Sequence, residues 1–479
     1  MLLQFSVENF RSFRGEAVLS LLPDPSDAQH GDHLLPSQIA GAKRALRVAA
    51  IYGANASGKS NLVDAVRFAK DLILDGTDPH KSIPVTPFKL SSRCLALPTT
   101  FEFIFNEGGA RYTYGMILNS KRISEEWLTM AGSGADAKLF ERKTDSKDRT
   151  VVDFGEKLFR LGGKGEPHGI TRKDKPLSRR SFLRFVAEGT RPNQLFLTEA
   201  ISRNVTELED VVTWFRSRLW TISPEPNARI ETLVESDKDF ATSLGSFLRR
   251  AGTGIQSVEQ IQRHIDLSEL CSAWPDEYRQ KLESEFASLG PTEELVVTSP
   301  FRERLVVSKS ANGDSVVSEL QLGHQGDRRA ISPLNLREES DGTQRLIHIF
   351  PLLSVAKKGG RVVFFDELDL RLHPFLARLM VDEFIRTAKN SQLIFTTHDT
   401  HLMDLGLLRR DEIWLVDKSR MGDSSLTSLA EFKVRPDLRI EKAYLSKRFG
   451  GVPAIAQLND LNETPWDDAQ QEIHAVAER

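Results

Sequence analysis

Val48-Ala49-Ala50-Ile51-Tyr52-Gly53-Ala54-Asn55-Ala56-Ser57-Gly58-Lys59-Ser60-Asn61-Leu62-Val63 is the stretch that decides the fold. Its first five residues make a short apolar run of the kind buried in a parallel sheet. A glycine-bearing loop follows, and then Leu62, Val63, Val66 and Ala69 fall on one face of a helix. Residues 53–60 match G-x-x-x-x-G-K-[ST] in full. The glycines let the backbone wrap so that successive N–H groups point at phosphate oxygens. The helix starting near Ser60 adds its positive end. Lys59 is placed to reach β- and γ-phosphates, and the Ser60 hydroxyl to ligate Mg²⁺. A tight glycine turn with an exposed lysine would share these letters, but not the strand before them and the helix after.

Three later stretches fit the same site. Val362-Val363-Phe364-Phe365 reads as a buried strand, and Asp366 at its carboxyl end is placed to hold Mg²⁺. Glu367, one residue on, can polarise an attacking water as general base. A turn carrying two solvated carboxylates is the plainer reading of that pair taken alone. Leu393-Ile394-Phe395-Thr396-Thr397-His398-Asp399 is another apolar strand, ending in a histidine suited to a γ-phosphate contact. Glu339-Ser340-Asp341-Gly342-Thr343-Gln344 precedes a helix with Leu346, Ile349, Phe350 and Leu353 on one face. Small residues at a helix start form an anion site, and Ser340 or Asp341 would equally serve as an ordinary N-cap.

Working outward, 479 residues exceed one ordinary core and imply two or three domains. With 40% hydrophobic and 27% charged residues, the composition is that of a soluble globular protein. No apolar run approaches the roughly 20 residues that span a bilayer, so no membrane role is expected. The start, MLLQFSVENFRSF, lacks a signal peptide's basic and apolar regions. Cys94 and Cys271 are isolated, which excludes a disulfide framework or a CxxC zinc site. These features suit the cytoplasm. A net charge of −3 is unlike a dedicated nucleic-acid binder. Residues 171–184 nevertheless carry six basic side chains and one acid. Two readings of that run stand, a solvated surface segment and a phosphate-binding strip that makes nucleic acid a possible partner.

In the middle of the chain, 100–105 and 112–116 alternate as antiparallel strands do. The later half reads as helical, with Leu244, Phe247 and Leu248 sharing one spacing and Val258, Ile261 and Ile265 another. Gly- and Lys-rich stretches at 131–148 and 162–175 read as exposed loops. Neither a repeat nor a sustained heptad run is present.

The order of these pieces resembles the ABC-type ATPases: a Walker A loop, a long middle, a small-residue signature, VVFFDE, then TTHD. Asn9-Phe10-Arg11-Ser12-Phe13 and the Asn55 of GANASGKS resemble the RecF and SMC branch. ESDGTQRL, DELDLRLHP and TTHDTHLMD resemble more closely the AAA-family ATPases of prokaryotic anti-phage defence. Those include the OLD family and the RloA- and AbiL-like abortive-infection ATPases, with the PARIS and Septu ATPase subunits as relatives. The tail from Glu441 to Gly450 is similar to the RloA-type ending.

The resemblance implies an α/β ABC-ATPase head, with a mixed or parallel P-loop core, an antiparallel β lobe and a mainly helical insertion. Its expected parts are the first half of the core at 1–75, the β lobe at 76–150 and the insertion at 151–330. The second half of the core follows at 331–418 with signature, Walker B and H-loop, then a tail region at 419–479. It implies ATP and Mg²⁺ as cofactors. Gly53, Asn55, Ser57, Gly58, Lys59, Ser60 and Asn61 would hold the nucleotide and Ser60 and Asp366 the metal, while Glu367, His398 and Lys59 would act in catalysis. It further implies a head-to-tail homodimer, or a higher homo-oligomer, in which Ser340 and Gly342 of one subunit cap the γ-phosphate held by the other. Asp369 and His373 would lie in the segment that signals across that interface.

The expected role is sensor or scaffold of an abortive-infection system with a separately encoded effector, a nuclease by class. The alternative is a RecF-like repair ATPase that clamps DNA. Three departures bear on this. SDGTQ stands where transporters have LSGGQ; Gln194 in PNQLFLTEA is the nearest candidate for a Q-loop; and no CxxC hook or long coiled coil supports a break-repair role. A full OLD protein carries a nuclease module, whereas about eighty residues follow His398, short of the roughly 100 typical of a domain. Asp460, Glu463 and Asp467 there read as a solvated terminus, so no cleavage activity is expected of this chain.

Overall fold

The computed structural model describes residues 1–451 apart from 38, 40–42, 132–135, 162–178, 225–229, 291–292, 301–303, 311, 328–329, 433–438 and 447. The expectations for 162–175, for most of the basic run and for the tail acids lie outside the described residues.

A six-stranded sheet runs in the order Leu219–Ile222, Val362–Phe365, Gln392–Thr396, Val48–Gly53, Ile413–Lys418, Ser424–Ser428. The first five strands are parallel and only the last pair is antiparallel. Strands covered on both faces need apolar side chains on both, which explains the unbroken runs VAAIY and VVFF. Alternation deals those side chains to two cores. Ala49, Ile51, Phe364 and Ile394 enter one; Val48, Ala50, Val363, Phe365 and Phe395 enter the other.

The first core lies against helix Lys59–Asp75, through the Leu62, Val63, Val66 and Ala69 face, and a seven-stranded antiparallel sheet. That sheet runs Thr150–Phe154, Ala137–Thr144, Ile123–Ala131, Ala110–Leu118, Thr99–Glu107, Leu2–Glu8, Ala17–Ser20. Its Phe105 stacks on Trp214 with ring centroids 4.0 Å apart. The second core lies under helices Asp341–Lys358, Pro374–Thr387 and Lys238–Arg250, where Phe240 and Phe247 both meet Phe350 at 5.3 Å. The α/β class, with a parallel P-loop core and an antiparallel lobe, is therefore the architecture of the described residues.

Two local expectations are corrected. Within 131–148, Ala137–Thr144 is a strand paired on both sides, not a loop. Its lysines fall where a strand can present them to solvent while Leu139 and Phe140 are buried. Residues 255–264 are also a strand, Ile255–His264, paired with Ser315–Gln325 in a five-stranded antiparallel sheet. The register shifts between Ile255 and Ser257, so that one extra residue is accommodated. The bulge puts Ile255 and Val258, three apart, into the same core. The expected helix rested on Val258, Ile261 and Ile265, but in the regular part of this strand Val258 and Ile261 point to opposite faces, and Ile265 lies past its end. Lys238–Arg250 is helical as the Leu244, Phe247 and Leu248 spacing predicts.

Candidate functional site

The parallel strands end together. Phe365 pairs with Phe395 and Thr396 with Ile51, so residues 366–367, 396–398 and 53–60 leave the sheet at one carboxyl edge. Ligands of open α/β sheets bind at that edge.

In the loop, Ala56 (φ 61°) and Gly58 (φ 115°) are left-handed, the twist that turns successive N–H groups into a concave anion site. A Cβ on Gly58 would come within 2.4 Å of Ser424 Oγ and 2.6 Å of Ser12 Oγ. One on Gly53 would meet Ser57 Oγ and the Val416 carbonyl, each at 2.5 Å. Both glycines are required by this packing. Lys59 Nζ donates to the carbonyls of Gly53 (2.8 Å) and Ala54 (3.1 Å), so the ammonium curls over the loop. Burial lowers its pKa to about 8 against the opposing pull of Glu367, Asp366 and Asp369.

The Ser60 hydroxyl donates to Asp366 Oδ1 at 3.1 Å. Thr396 Oγ1 donates to the same oxygen at 2.7 Å and accepts from the Glu367 amide at 2.7 Å. One threonine thus fixes both acids. Sequence reading passed it over, although the paired threonines of TTHD were its visible signal. Glu367 sits at φ 53°, a left-handed backbone that costs a non-glycine residue of order 1–3 kcal/mol and clusters at functional sites. His398 is exposed at the rim, and its amide donates to Asp369 Oδ2 at 3.2 Å. Partial desolvation, followed by the Lys59 charge, holds its pKa below the ordinary value. Lys59, Asp366, Glu367, Asp369 and His398 therefore share one electrostatic neighbourhood.

Asn61 faces another side of the loop and donates to Ser12 Oγ at 2.7 Å. Arg11 pairs with Asp64 beside it. Arg11, Ser12 and Asn61 open onto a cavity of about 450 Å³, lined also by Thr86, Phe88 and Lys89. Asn55 is exposed on the loop. Ser340 caps helix Asp341–Lys358, accepting from the Thr343 amide at 3.2 Å, and a Cβ on Gly342 would meet the Arg371 carbonyl at 3.3 Å. None of their hydrogen bonds among the described residues reaches the phosphate loop. The Q-loop candidate is corrected: Gln194 Oε1 accepts from the Thr77 amide (2.9 Å) and hydroxyl (2.7 Å), just past the far end of helix Lys59–Asp75. Seventeen helical residues, at about 1.5 Å each, separate it from the loop.

The residues fit a nucleotide with its magnesium. Ser57 Oγ is buried without a hydrogen-bond partner inside the loop, the loop excludes side chains at both glycines, and a hydroxyl–carboxylate pair stands at its mouth. A hard cation takes oxygen donors of this kind.

A phosphate loop between parallel strand and helix, facing an acidic strand end, defines a P-loop ATPase of the ABC/AAA type. The chain belongs to the family described as "AAA domain, putative AbiEii toxin, Type IV TA system", whose profile matches residues 48–404, well over half of it. Among solved structures it is similar to the SMC head domain from Thermotoga maritima, at 13% identity and a TM-score of 0.37, covering 89% of this chain and 98% of that one. It is similar too to an SmcHead bound to the C-winged helix domain of ScpA, at 13% identity and TM-score 0.39, covering 89% and 97%. A third is an Smc head domain with an extended coiled coil, bound to the C-terminal domain of ScpA derived from Pyrococcus furiosus, at 13% and 0.34, covering 90% and 97%. No curated protein matches the sequence. No described helix is long and apolar enough to cross a membrane.

Proposed function

We propose that this chain binds ATP with Mg²⁺ and hydrolyses it in a head-to-tail homodimer, as the nucleotide-gated sensor or scaffold of a cytoplasmic anti-phage system with a separate effector. The observation that carries the catalytic part is the convergence of loop, Asp366–Thr396–Ser60 cluster, Glu367 and His398 on one sheet edge. In this reading Gly53, Asn55, Ser57, Gly58 and Asn61 surround the nucleotide. Lys59 exchanges the loop carbonyls for the β- and γ-phosphates. Ser60 and Asp366 hold Mg²⁺, which when bound neutralises charge on the phosphate oxygens. Glu367 takes a proton from water as its oxygen bonds to the γ-phosphorus and the β–γ bridge breaks. His398 hydrogen-bonds the γ-phosphate, and Ser340 and Gly342 of the second subunit cap it.

The defence role is supported by the ESDGTQRL and TTHDTHLMD resemblance and by the matched family's description, which names a toxin–antitoxin system. The test is ATP turnover of the wild type against Glu367→Gln, each with and without duplex DNA. Turnover lost in the variant and indifferent to DNA is expected. Normal hydrolysis by Glu367→Gln would remove that residue from the mechanism, and a several-fold rise with DNA would favour a DNA-clamping ATPase. A pull-down from the native host that finds no effector, with no effect on phage plating, would defeat the defence role.

A further inference from the structure

Away from the phosphate loop, His30, Asp32 and His33 come together on the turn that enters the short helix Gly31–His33. One nitrogen of each ring and a carboxylate oxygen of Asp32 lie within 4.8 Å of one another. The two ring centroids are 5.0 Å apart. Metal–nitrogen distances of about 2.0–2.1 Å place two imidazoles on one tetrahedral ion with centroids roughly 5 Å apart.

The second observation is that both rings are already oriented from behind. Among the described residues, His30 Nε2 meets the Leu405 carbonyl at 2.7 Å, which can only accept, so this nitrogen carries the proton. His33 Nδ1 meets both oxygens of the buried Glu412 carboxylate, at 2.9 and 3.0 Å. The Glu412 side chain also accepts from the Arg409 amide at 2.9 Å. In the neutral rings the lone pairs are thereby left on His30 Nδ1 and His33 Nε2. Carbonyl–histidine and carboxylate–histidine pairs are the outer contacts that metal-binding imidazoles make. A buried ion pair with Glu412 would by itself account for His33, but not for the fixed tautomer of His30 or for the placing of Asp32. Arg47 is the nearby cation that competes for Asp32.

We propose that His30, Asp32 and His33 bind a divalent transition ion of the zinc class, with water completing four-coordination. Two imidazoles and one carboxylate favour such an ion over Mg²⁺ or Ca²⁺. The site joins the 30–33 turn to the 405–412 loop, which begins seven residues after His398. Arg409 already ties the same two segments by donating to the carbonyls of Gln29 and Asp27. The ion stiffens the turn that these contacts brace, separate from the ATP site.

The test uses the full chain, stripped with a chelator, and titrated with Zn²⁺ by calorimetry and with Co²⁺ by visible absorption. One ion per chain is expected, with the strong visible bands of four-coordinate Co²⁺. His30→Ala and Asp32→Ala, both at solvent-accessible positions and checked for unchanged melting without metal, should each weaken binding by at least about tenfold. Glu412→Gln should weaken it about 10–100-fold. Absence of stoichiometric binding, or binding unaltered in His30→Ala and Asp32→Ala, would overturn the assignment, as would a weak six-coordinate Co²⁺ spectrum.

Discussion

At the scale of single residues, the site is a set of short contacts whose removal has separable effects. Lys59→Ala takes away the ammonium proposed to reach the phosphates, and tight ATP binding should disappear in a nucleotide-binding assay. Glu367→Gln keeps shape and removes the proposed base, so binding should persist while turnover slows by roughly 10²–10⁴. His398→Ala should slow hydrolysis without loss of binding; weakened binding alone would contradict a γ-phosphate contact. Thr396→Val is the sharper test of geometry. It leaves the half-buried Glu367 amide without its 2.7 Å acceptor and frees Asp366 Oδ1 from its 2.7 Å donor. An unmet buried donor costs about 1–3 kcal/mol. Urea melts should shift by that amount, and more Mg²⁺ should be needed for half-maximal turnover.

Secondary-structure elements decide how firmly those residues are held. Phe364 is fully buried between the sheet and the first core. Phe364→Ala should cost about 3–5 kcal/mol by transfer and cavity terms, read from denaturant unfolding. Gln194 belongs to this scale as well, because its contacts close the end of helix Lys59–Asp75. Gln194→Ala strands the Thr77 amide and should lower stability by about 1–3 kcal/mol, with ATP turnover per folded molecule unchanged. Altered turnover would return Gln194 to the nucleotide site. The motif strands and helices were legible because each carries both its period and its chemistry: VAAIY before the loop, the Leu62–Ala69 face after it. Strand Ile255–His264 was not legible, because Val258, Ile261 and Ile265 have a helical spacing by sequence although they do not lie on one face of the strand.

For the whole molecule the decisive prediction concerns two chains. A Lys59→Ala chain lacks its own loop function but keeps the signature serine; a Ser340→Arg chain has the reverse defect. Each should be inactive alone. Mixed, they can assemble one composite site with both parts intact, and ATP turnover should return in part. No recovery, with both variants folded, would argue that each chain hydrolyses ATP within itself. Within one chain, long-range joints hold the halves of the head in register. Gln392, at the start of strand Gln392–Thr396, accepts from the Leu2 amide at 2.6 Å and donates to the Leu2 and Leu46 carbonyls at 2.9 Å. It thereby ties the antiparallel lobe to the parallel core.

The sequence by itself determined the phosphate loop, the acidic strand end, the histidine-tipped strand and the α/β class. Each is a local pattern, in which a period of two or 3.6 residues adjoins the few side chains that its chemistry needs. Tertiary structure alone decided that Thr396 governs Asp366 and Glu367, that Gln194 lies at the wrong end of its helix, and that His30 and His33 are braced by Leu405 and Glu412. Those partners stand 29 to more than 370 residues apart along the chain. A contact of that separation leaves no periodic trace in the sequence, because it is set by how strands order and register in the sheet.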